Sequence, residues 1–456
     1  MALSELFRPF VEDKPLCVMA RGVLERLLDP QRLDALFART AQRQYTRDLL
    51  FSTAVELMAQ VVLGRKPAVY AAYQAMSDRL GVSDTALYRK LQRMELAVSA
   101  ALVRDSARQA APLIRALGGD QDPWVKGYHT KILDGNHLQA TEHRLAELRT
   151  TWAAPLPGHG LVVLDQPTQT VTDILLCEDG EAQERSLLPD VLALVRRRDL
   201  WVADRNFCTL GFLFALAARQ ACFVIRQHGM VQGQLLGRRK ARGRCATGHV
   251  YEQRLRLRSE AGEVLVVRRV TVELDEPTRD GDTAIHVLTN LPAQAASAVQ
   301  VAEVYRRRWT IEGLFLEVEE TLACEVKTLA YPKAALFAFC VGLLAANAVA
   351  VLKAALRAAH GEEVAAGLSA YYLTLEIRET YAGMMVAIPA PHWAVFGSLS
   401  APELARLLRE LAGKLVLARY RKHPRGPKKK PPPRRRYQNG EHVATSKILA
   451  GRKCAK

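Results

Sequence analysis

Apolar and polar residues follow two different periods along the chain. Residues 1 to about 120 repeat at helical spacing without strand alternation. From about residue 125, short apolar runs of strand length follow, at 128–134, 160–165, 171–177, 200–204 and 222–226. Helical segments at roughly 182–197 and 209–219 separate the last of these runs. This order predicts an α/β layer with a mixed sheet covered by helices.

Residues 228–292 interrupt that pattern. Alternating residues at 250–258, 263–274 and 283–288 predict an all-β insertion, which begins with a basic loop at 237–244. An apolar helix at 333–359 and further helices to about residue 420 complete the predicted elements. The predicted divisions are a helical domain (1–120), the first part of the core (121–227) and the β-rich insertion (228–296). They continue with the second part of the core (297–360), a helical C-terminal region (361–420) and a basic disordered tail (421–456).

A candidate helix-turn-helix lies at residues 68–94. Gly81 supplies a tight turn, and Ser83 or Asp84 supplies an N-cap for the second helix. Basic side chains on or beside that second helix would contact DNA: Arg89, Lys90 and Arg93. A scaffold hairpin of helices gives the same pattern, and DNA binding is the favoured interpretation.

The positive charge is concentrated at the C-terminus. The chain carries a net charge of +17, and the segment 419–456 holds fourteen Lys and Arg against one acid, Glu441. Lys428 to Arg436 is too charged and proline-rich to bury a core, so it is expected to be disordered until it meets a polyanion. The rest of the chain is close to neutral, which limits any further nucleic-acid surface there to local patches.

Cysteine usage and hydropathy indicate an intracellular soluble protein. The eight cysteines show no zinc-site spacing, and no signal-peptide layout begins the sequence. These features favour a reducing, cytoplasmic compartment. The uncharged segment 335–352 is about long enough to span a bilayer, but its Gly342 and Asn347 favour a buried central helix and no membrane partner.

A charged stripe follows the insertion. If residues 301–322 form one helix, Tyr305, Arg308, Glu312 and Glu319 fall within an arc of roughly 60°. This arc adjoins an apolar stripe made of Val301, Val304, Ile311, Phe315, Val318 and Leu322. Charged stripes are usually solvated helix faces. The alternative is a carboxylate held beside an arginine and a tyrosine, able to hold a metal ion against a phosphate.

Three acids are candidates for one catalytic centre. Asp134 and Asp204 each end a predicted strand, where α/β sheets expose functional groups, and Glu312 would join them from the helix. Asp165 and Asp173 also lie near strands and compete for the same role. Shared carboxylates can hold two divalent ions about 4 Å apart for phosphodiester displacement. Hard oxygen ligands favour Mg²⁺, and Arg308 would contact the substrate phosphate.

These residues resemble the DDE transposases of the insertion-sequence-four family. Ala203 to Phe207 is similar to that family's second-aspartate block, and Tyr305-x-x-Arg308-x-x-x-Glu312 is similar to its signature. Asp134 to Asn136, with Thr141 to Leu145, resembles the first-aspartate block. The resemblance covers roughly residues 120–350, and the family places a β domain in the long interval before its glutamate.

The resemblance implies a ribonuclease H-like core that cuts transposon ends and joins their 3′-hydroxyl ends to target DNA. Asp134, Asp204 and Glu312 would bind two Mg²⁺ ions, for which Mn²⁺ substitutes. It implies cut-and-paste transposition through a hairpin, by a homodimer that pairs two double-stranded terminal inverted repeats at the bacterial nucleoid. DNA and phosphate contacts would come from Tyr305, Arg308, Arg205 and Trp309. The alternatives are a ribonuclease H-like nuclease without integration and a catalytically inactive DNA-binding relative.

The chain departs from the family pattern at two places. Glu319 stands where the family has a lysine, and a glutamate repels the phosphate that a lysine holds. In the insertion, where relatives place a tryptophan against a flipped base, Tyr251 is the sole non-histidine aromatic between Gln227 and Val304. Hairpin formation and end recognition are therefore less firmly predicted than the three acids.

Overall fold

The computed structural model describes most of the 456-residue chain. The described residues are 3–44, 48–150, 154–278, 281–316, 322, 325–423 and 442–454. The predicted phosphate-repelling residue Glu319 and the basic stretch 428–436 lie outside them.

In the described N-terminal part, helices follow one another to residue 117, as the apolar periodicity predicts. Local caps set several boundaries: the Asp29 side chain accepts a hydrogen bond from the Arg32 amide, and Gly118 ends the last helix with φ +63°. The helices are α1 Arg8–Asp13, α2 Pro15–Leu27, α3 Pro30–Thr40, α4 Phe51–Val62, α5 Val69–Leu80, α6 Asp84–Gln92 and α7 Leu96–Leu117.

A mixed sheet forms the core of the next region, and it confirms the predicted fold class. Its first strands lie in the order β4-β3-β1-β5-β6, with β1, β3 and β4 antiparallel and with β5 and β6 parallel to β1. This is the arrangement expected of a ribonuclease H-like core. The strands are β1 His129–His137, β3 His159–Asp165, β4 Thr170–Cys177, β5 Asp199–Ala203 and β6 Cys222–Arg226, with a short β2 at Pro155–Leu156.

Helices cover both faces of this sheet because its strand residues are apolar on both sides. Ile132 packs on the side of α7 and α12 (Pro332–His360), while Leu133 packs on the side of α8 (Leu188–Leu192) and α9 (Leu210–Ala218). The helix predicted at 182–197 is shorter than expected: α8 follows a 3₁₀ turn at Glu184–Leu187.

Helix α12 confirms the expectation of a buried central helix. It is long and apolar enough to cross a membrane, yet every residue of its most apolar window is buried within the protein. Its Asn347 side chain accepts a hydrogen bond from the Val171 amide at 2.7 Å and donates to the Val171 carbonyl at 3.1 Å. The single amide in this apolar helix therefore satisfies backbone groups of strand β4.

The insertion extends the core sheet. Strand β10 (Ala284–Thr289) pairs antiparallel with β6, and β9 (Val264–Leu274), β8 (Gly248–Arg258) and β7 (Gln234–Cys245) follow in order. The prediction of a basic loop at 237–244 is wrong, because these residues belong to β7. Their arginines remain solvated on this edge strand, and three pair with acids of the neighbouring strands and turn: Arg239 with Glu273, Arg242 with Glu252 and Arg244 with Asp275.

The predicted single helix 301–322 is broken. Helix α10 ends at Arg307 (Ala298–Arg307) and α11 begins at Thr310 (Thr310–Leu316). At the break, the amide of Ile311 bonds the Arg308 carbonyl at 3.1 Å, three residues back. The two helices pack on different clusters: Val304 of α10 lies against the insertion strands, and Ile311 of α11 lies against the cluster around α12.

The C-terminal region returns to the core. Helices α13 Glu362–Ala366, α14 Ala370–Ala387, α15 Ala390–Ser398 and α16 Ala401–Gly413 precede the final elements β11 Val443–Ala444 and α17 Thr445–Cys454. The prediction that all of residues 421–456 form a disordered tail is therefore wrong for residues 442–454. Strand β11 pairs parallel with β2, and Ala444 is fully buried. The apolar residues Ile448 and Leu449 pack on Leu148, which explains why this end is ordered despite its basic neighbours.

Candidate active site

Asp134 lies within β1, three residues before its end. The prediction that the strand ends on this acid is wrong, because β1 continues to His137 by pairing with β3. Side chains alternate along a strand, so Asp134 faces the same side as Ile132, toward α11 and α12. One of its carboxylate oxygens accepts a hydrogen bond from the Gly135 amide at 3.0 Å.

Asp204 stands beside Asp134 at the same edge of the sheet. Strands β1 and β5 are parallel, and Leu133 pairs with Ala203, so the two aspartates occupy the next positions along neighbouring strands. Asp204 caps the 3₁₀ turn Arg205–Phe207 and accepts a hydrogen bond from the Arg205 amide. Neighbouring positions on two parallel strands therefore bring these two acids together.

Arg308 joins the first aspartate to the predicted glutamate. Its Nη1 lies 2.7 Å from Asp134 Oδ2, and its Nη2 lies 2.6 Å from Glu312 Oε1. The Arg308 side chain is 6% exposed, against 17% for Asp134 and 43% for Glu312. The break between α10 and α11 places Arg308 in the interior, and a guanidinium holds both carboxylates through separate nitrogens.

Neighbouring charges and burial shift the pKa values of Asp134 and Arg308. Burial raises the pKa of Asp134 to about 6; Arg308 and the Gly135 amide oppose this shift, while the Asp204 and Glu184 carboxylates reinforce it. Burial alone would lower the pKa of Arg308, but Asp134, Tyr305, Asp204 and Glu312 together raise it above its ordinary value. The site is thus a cluster of acids around one buried cation.

The donor set suits a hard divalent ion. Carboxylate oxygens are the ligands that Mg²⁺ prefers, and the mutual repulsion of Asp134 and Asp204 is what a bound cation relieves. In the part of the chain that the structure describes, however, no group of three Asp, Glu, His or Cys side chains is arranged as a metal site. Arg308 supplies the positive charge in this conformation, so the residues fit a metal ion chemically while their present geometry is that of an ion-pair network.

The other predicted contact residues flank this network. Tyr305 is buried, and burial raises the pKa of its hydroxyl; the Arg308 guanidinium lies 6.0 Å from its ring centre. Trp309 is 65% exposed in the break between the helices, and Arg205 is exposed beside Asp204. Trp309 and Arg205 are therefore accessible to a ligand, whereas Tyr305 and Arg308 are enclosed.

The helix-turn-helix prediction matches the observed backbone of α5 and α6. Gly81 has φ +61°, and the Ser83 side chain accepts a hydrogen bond from the Ala86 amide. Arg89 and Arg93 are exposed at the end of α6. Lys90 is half-buried, and its ammonium lies 4.2 Å from the centre of the Phe37 ring. Of the three predicted basic contacts, Lys90 thus already serves a packing role.

Sequence reasoning missed a cavity beside the acids. A cavity of about 330 Å³ lies at the same edge of the sheet, where β6 ends and β10 begins. Its lining includes Arg226, which pairs with Asp282 at 2.6 Å. These residues come from separate strand ends and follow no short motif: the lining is Arg205, Arg226, Gln227, His228, Gly229, Asp282, Ala284 and His286.

Comparison with known proteins relates the central part of the chain to transposases. The family model described as the transposase DDE domain matches residues 127–347, which contain the core strands, the insertion and all three acids. This match supports a DDE transposase without singling out the insertion-sequence-four family. Among curated proteins, no sequence matches the chain.

One similar solved structure is a cryo-EM structure of piggyBac transposase synaptic complex with hairpin DNA. It shares 9% sequence identity and gives a TM-score of 0.37, over 89% of this chain and 85% of that one. The functional argument therefore rests on the family match and on the geometry of the acids.

Proposed function

We propose that this protein is a DNA transposase of the DDE class. The observations that support the proposal are the neighbouring positions of Asp134 and Asp204 on parallel strands and the ion pairs of Arg308 with Asp134 and Glu312, within the segment that matches the transposase DDE domain. The substrate would be double-stranded DNA bearing the ends of a mobile element. Two copies of the chain, each holding one end, would form the active complex.

The chemistry follows from the residues at the site. Asp134, Asp204 and Glu312 would hold divalent ions, Mg²⁺ or Mn²⁺, which when bound stabilise the attacking and leaving oxygens at the scissile phosphate. Arg308 would exchange its carboxylate partners for a phosphate oxygen as DNA enters. The buried Tyr305 would keep this guanidinium in place, while Trp309 and Arg205 would contact the DNA flanking the cut.

The proposal is tested on DNA that contains the sequences flanking the gene. With Mg²⁺ or Mn²⁺, the protein should cut this DNA at the element's ends and join the freed 3′-hydroxyl groups to a target plasmid. Cleavage without joining would instead identify a nuclease that does not integrate. Binding without cleavage would identify an inactive DNA-binding relative and refute the enzyme.

The exposed arginines of α6 should contribute to DNA affinity. Replacing Arg89 and Arg93 with alanine removes two charges at the expected phosphate surface, so affinity should fall by about 10-fold or more at physiological salt. Lys90→Ala is the internal control. Because this variant loses the packing of Lys90 against Phe37, its main effect should be a lower melting temperature and not a lower DNA affinity. Unchanged binding by the double variant would argue that α5 and α6 are scaffold.

The basic segment 425–436 should add salt-dependent affinity. Replacing its seven cations with glutamine should flatten the plot of log affinity against log salt, by up to about 0.9 for each phosphate that is no longer neutralised. Cleavage at saturating DNA and low salt should be unaffected, which separates binding from chemistry. An unchanged slope would contradict the prediction; the residues are Arg425, Lys428, Lys429, Lys430, Arg434, Arg435 and Arg436.

A further inference from the structure

A fourth carboxylate lies beside the two aspartates on the opposite face of the sheet. Glu184 begins the 3₁₀ turn that precedes α8, and its side chain is 15% exposed. A Cβ built on Gly135 would lie 1.8 Å from Glu184 Oε1, so this carboxylate occupies the space that any other residue at position 135 would fill. A side chain at position 135 would therefore displace the Glu184 carboxylate from this place.

The other oxygen of Glu184 reaches the segment that carries the second aspartate. Asn206 Nδ2 donates to Glu184 Oε2 at 2.6 Å. Arg185 Nε donates to the Asn206 carbonyl at 2.6 Å and to its Oδ1 at 3.1 Å. Both ends of the Asn206 amide are thus held by two consecutive residues of opposite charge, in the turn that Asp204 caps.

The cost of this arrangement indicates a role beyond packing. Among the described residues, Glu184 contacts the neutral Asn206 amide and His137, whose Nδ1 lies 3.5 Å from Oε1 and which pairs as an ion only when protonated. Burying a carboxylate with so little compensation is unfavourable, and an apolar pair would hold two loops together as well. Glu184 also places a further negative charge next to Asp134, which disfavours the ionised form of that aspartate. A role in fixing the geometry of the site would explain why this cost is tolerated.

We propose that Glu184 and Arg185 clamp Asn206 and thereby position Asp204 relative to Asp134. Glu184 is a positioning residue: one oxygen lies against the backbone of β1 at Gly135, and the other holds the turn after β5. The single carboxylate spans both acid-bearing segments and sets their separation. This inference rests on the proposed function, since the separation of the aspartates matters when they share metal ions.

The test compares Glu184→Gln, Glu184→Ala, Asn206→Ala and the double alanine variant. Glutamine keeps an oxygen acceptor of the same reach, so Glu184→Gln should cleave DNA within about 3-fold of the wild type. Both single alanine variants should lose about 10- to 100-fold in kcat with KM for DNA unchanged, as expected when a group that orients a metal ligand is removed. The double variant should be no worse than either single one, because the two residues form one contact.

Mn²⁺ binding without DNA provides a readout that does not depend on turnover. The affinity should fall by about 10- to 100-fold in the alanine variants and stay near the wild-type value in Glu184→Gln. If Glu184→Ala fails to fold, Gly135→Ala offers a second route, since its added methyl group displaces the same carboxylate.

Several outcomes would overturn the clamp. Wild-type kcat and Mn²⁺ affinity in the alanine variants would refute it, and so would additive losses in the double variant. A Glu184→Gln protein as impaired as Glu184→Ala would show that the charge itself is required, as for a direct metal ligand. A wild-type protein that neither cleaves DNA nor binds Mn²⁺ would refute the proposed function, whereas an active wild type with unaffected variants refutes the clamp alone.

Discussion

Asp204→Ala should abolish metal-dependent DNA cleavage while leaving DNA binding intact. Asp204 follows β5 directly beside Asp134, so its loss removes a carboxylate from the centre without removing a strand contact. Several kcal/mol of transition-state stabilisation depend on the ions that these acids hold, so the rate should fall by about 10³-fold or more. Cleavage of end-bearing DNA and a gel-shift assay on the same DNA measure the two quantities.

Two further variants make the Asp204 result interpretable. Asp204→Asn keeps the size of the side chain and should be as inactive as the alanine variant, because the negative charge is what the metal requires. Asp190→Ala removes an exposed acid at the start of α8 and should cleave normally. Retained cleavage by both Asp204 variants would rule out the assigned centre.

Arg308→Met should destabilise the protein and make its stability respond to divalent ions. Methionine fills much of the same volume, but it leaves Asp134 buried without its cation and Glu312 without its partner. Removing one member of a buried ion pair costs about 3 kcal/mol or more. The partial exposure of Glu312 places the expected loss at the lower end of that range.

Thermal unfolding with and without Mn²⁺ measures this effect. Mn²⁺ should raise the melting temperature of Arg308→Met more than that of the wild type, because a bound ion would replace the missing positive charge between the carboxylates. Arg307→Met is the matched control, since Arg307 is the exposed neighbour on the same turn. Its guanidinium lies 6.0 Å from the centre of the Trp124 ring, so its loss should change either quantity little. A wild-type-like Arg308→Met would show that the ion pairs contribute little.

The sequence predicts the parts of this site that depend on local pattern. Apolar runs ending near acids locate β1 and β5, and parallel pairing then brings Asp134 and Asp204 together. The interval of four residues keeps Arg308 and Glu312 within reach of each other, and they form an ion pair even though the helix is broken between them. The local pattern predicts the strands and the short interval in the sequence, whereas the pairing of β1 with β5 is itself a contact between distant segments.

The features that the sequence did not predict depend on contacts between distant segments. The break at Arg308 arises because α10 and α11 pack on different clusters. Strand β7 forms despite its charges because β8 offers a pairing edge, and residues 443–444 become a strand because β2 is available. Glu184 belongs to no motif, and its role is visible only when Gly135 and Asn206 lie beside it. Periodicity fixes the type of an element but leaves its partner open.

The continuous sheet fixes the distance between the acids of the site and strand β7. From β5, which Asp204 follows, to the basic edge strand β7 the sheet crosses five strand spacings, by way of β6, β10, β9 and β8, which corresponds to about 24 Å. Duplex DNA rises by about 3.4 Å per base pair, so this interval matches roughly seven base pairs. Backbone hydrogen bonds hold that distance. If DNA is cut at the acids as proposed, DNA lying across the sheet would meet the arginines of β7 at a fixed number of base pairs from the cut.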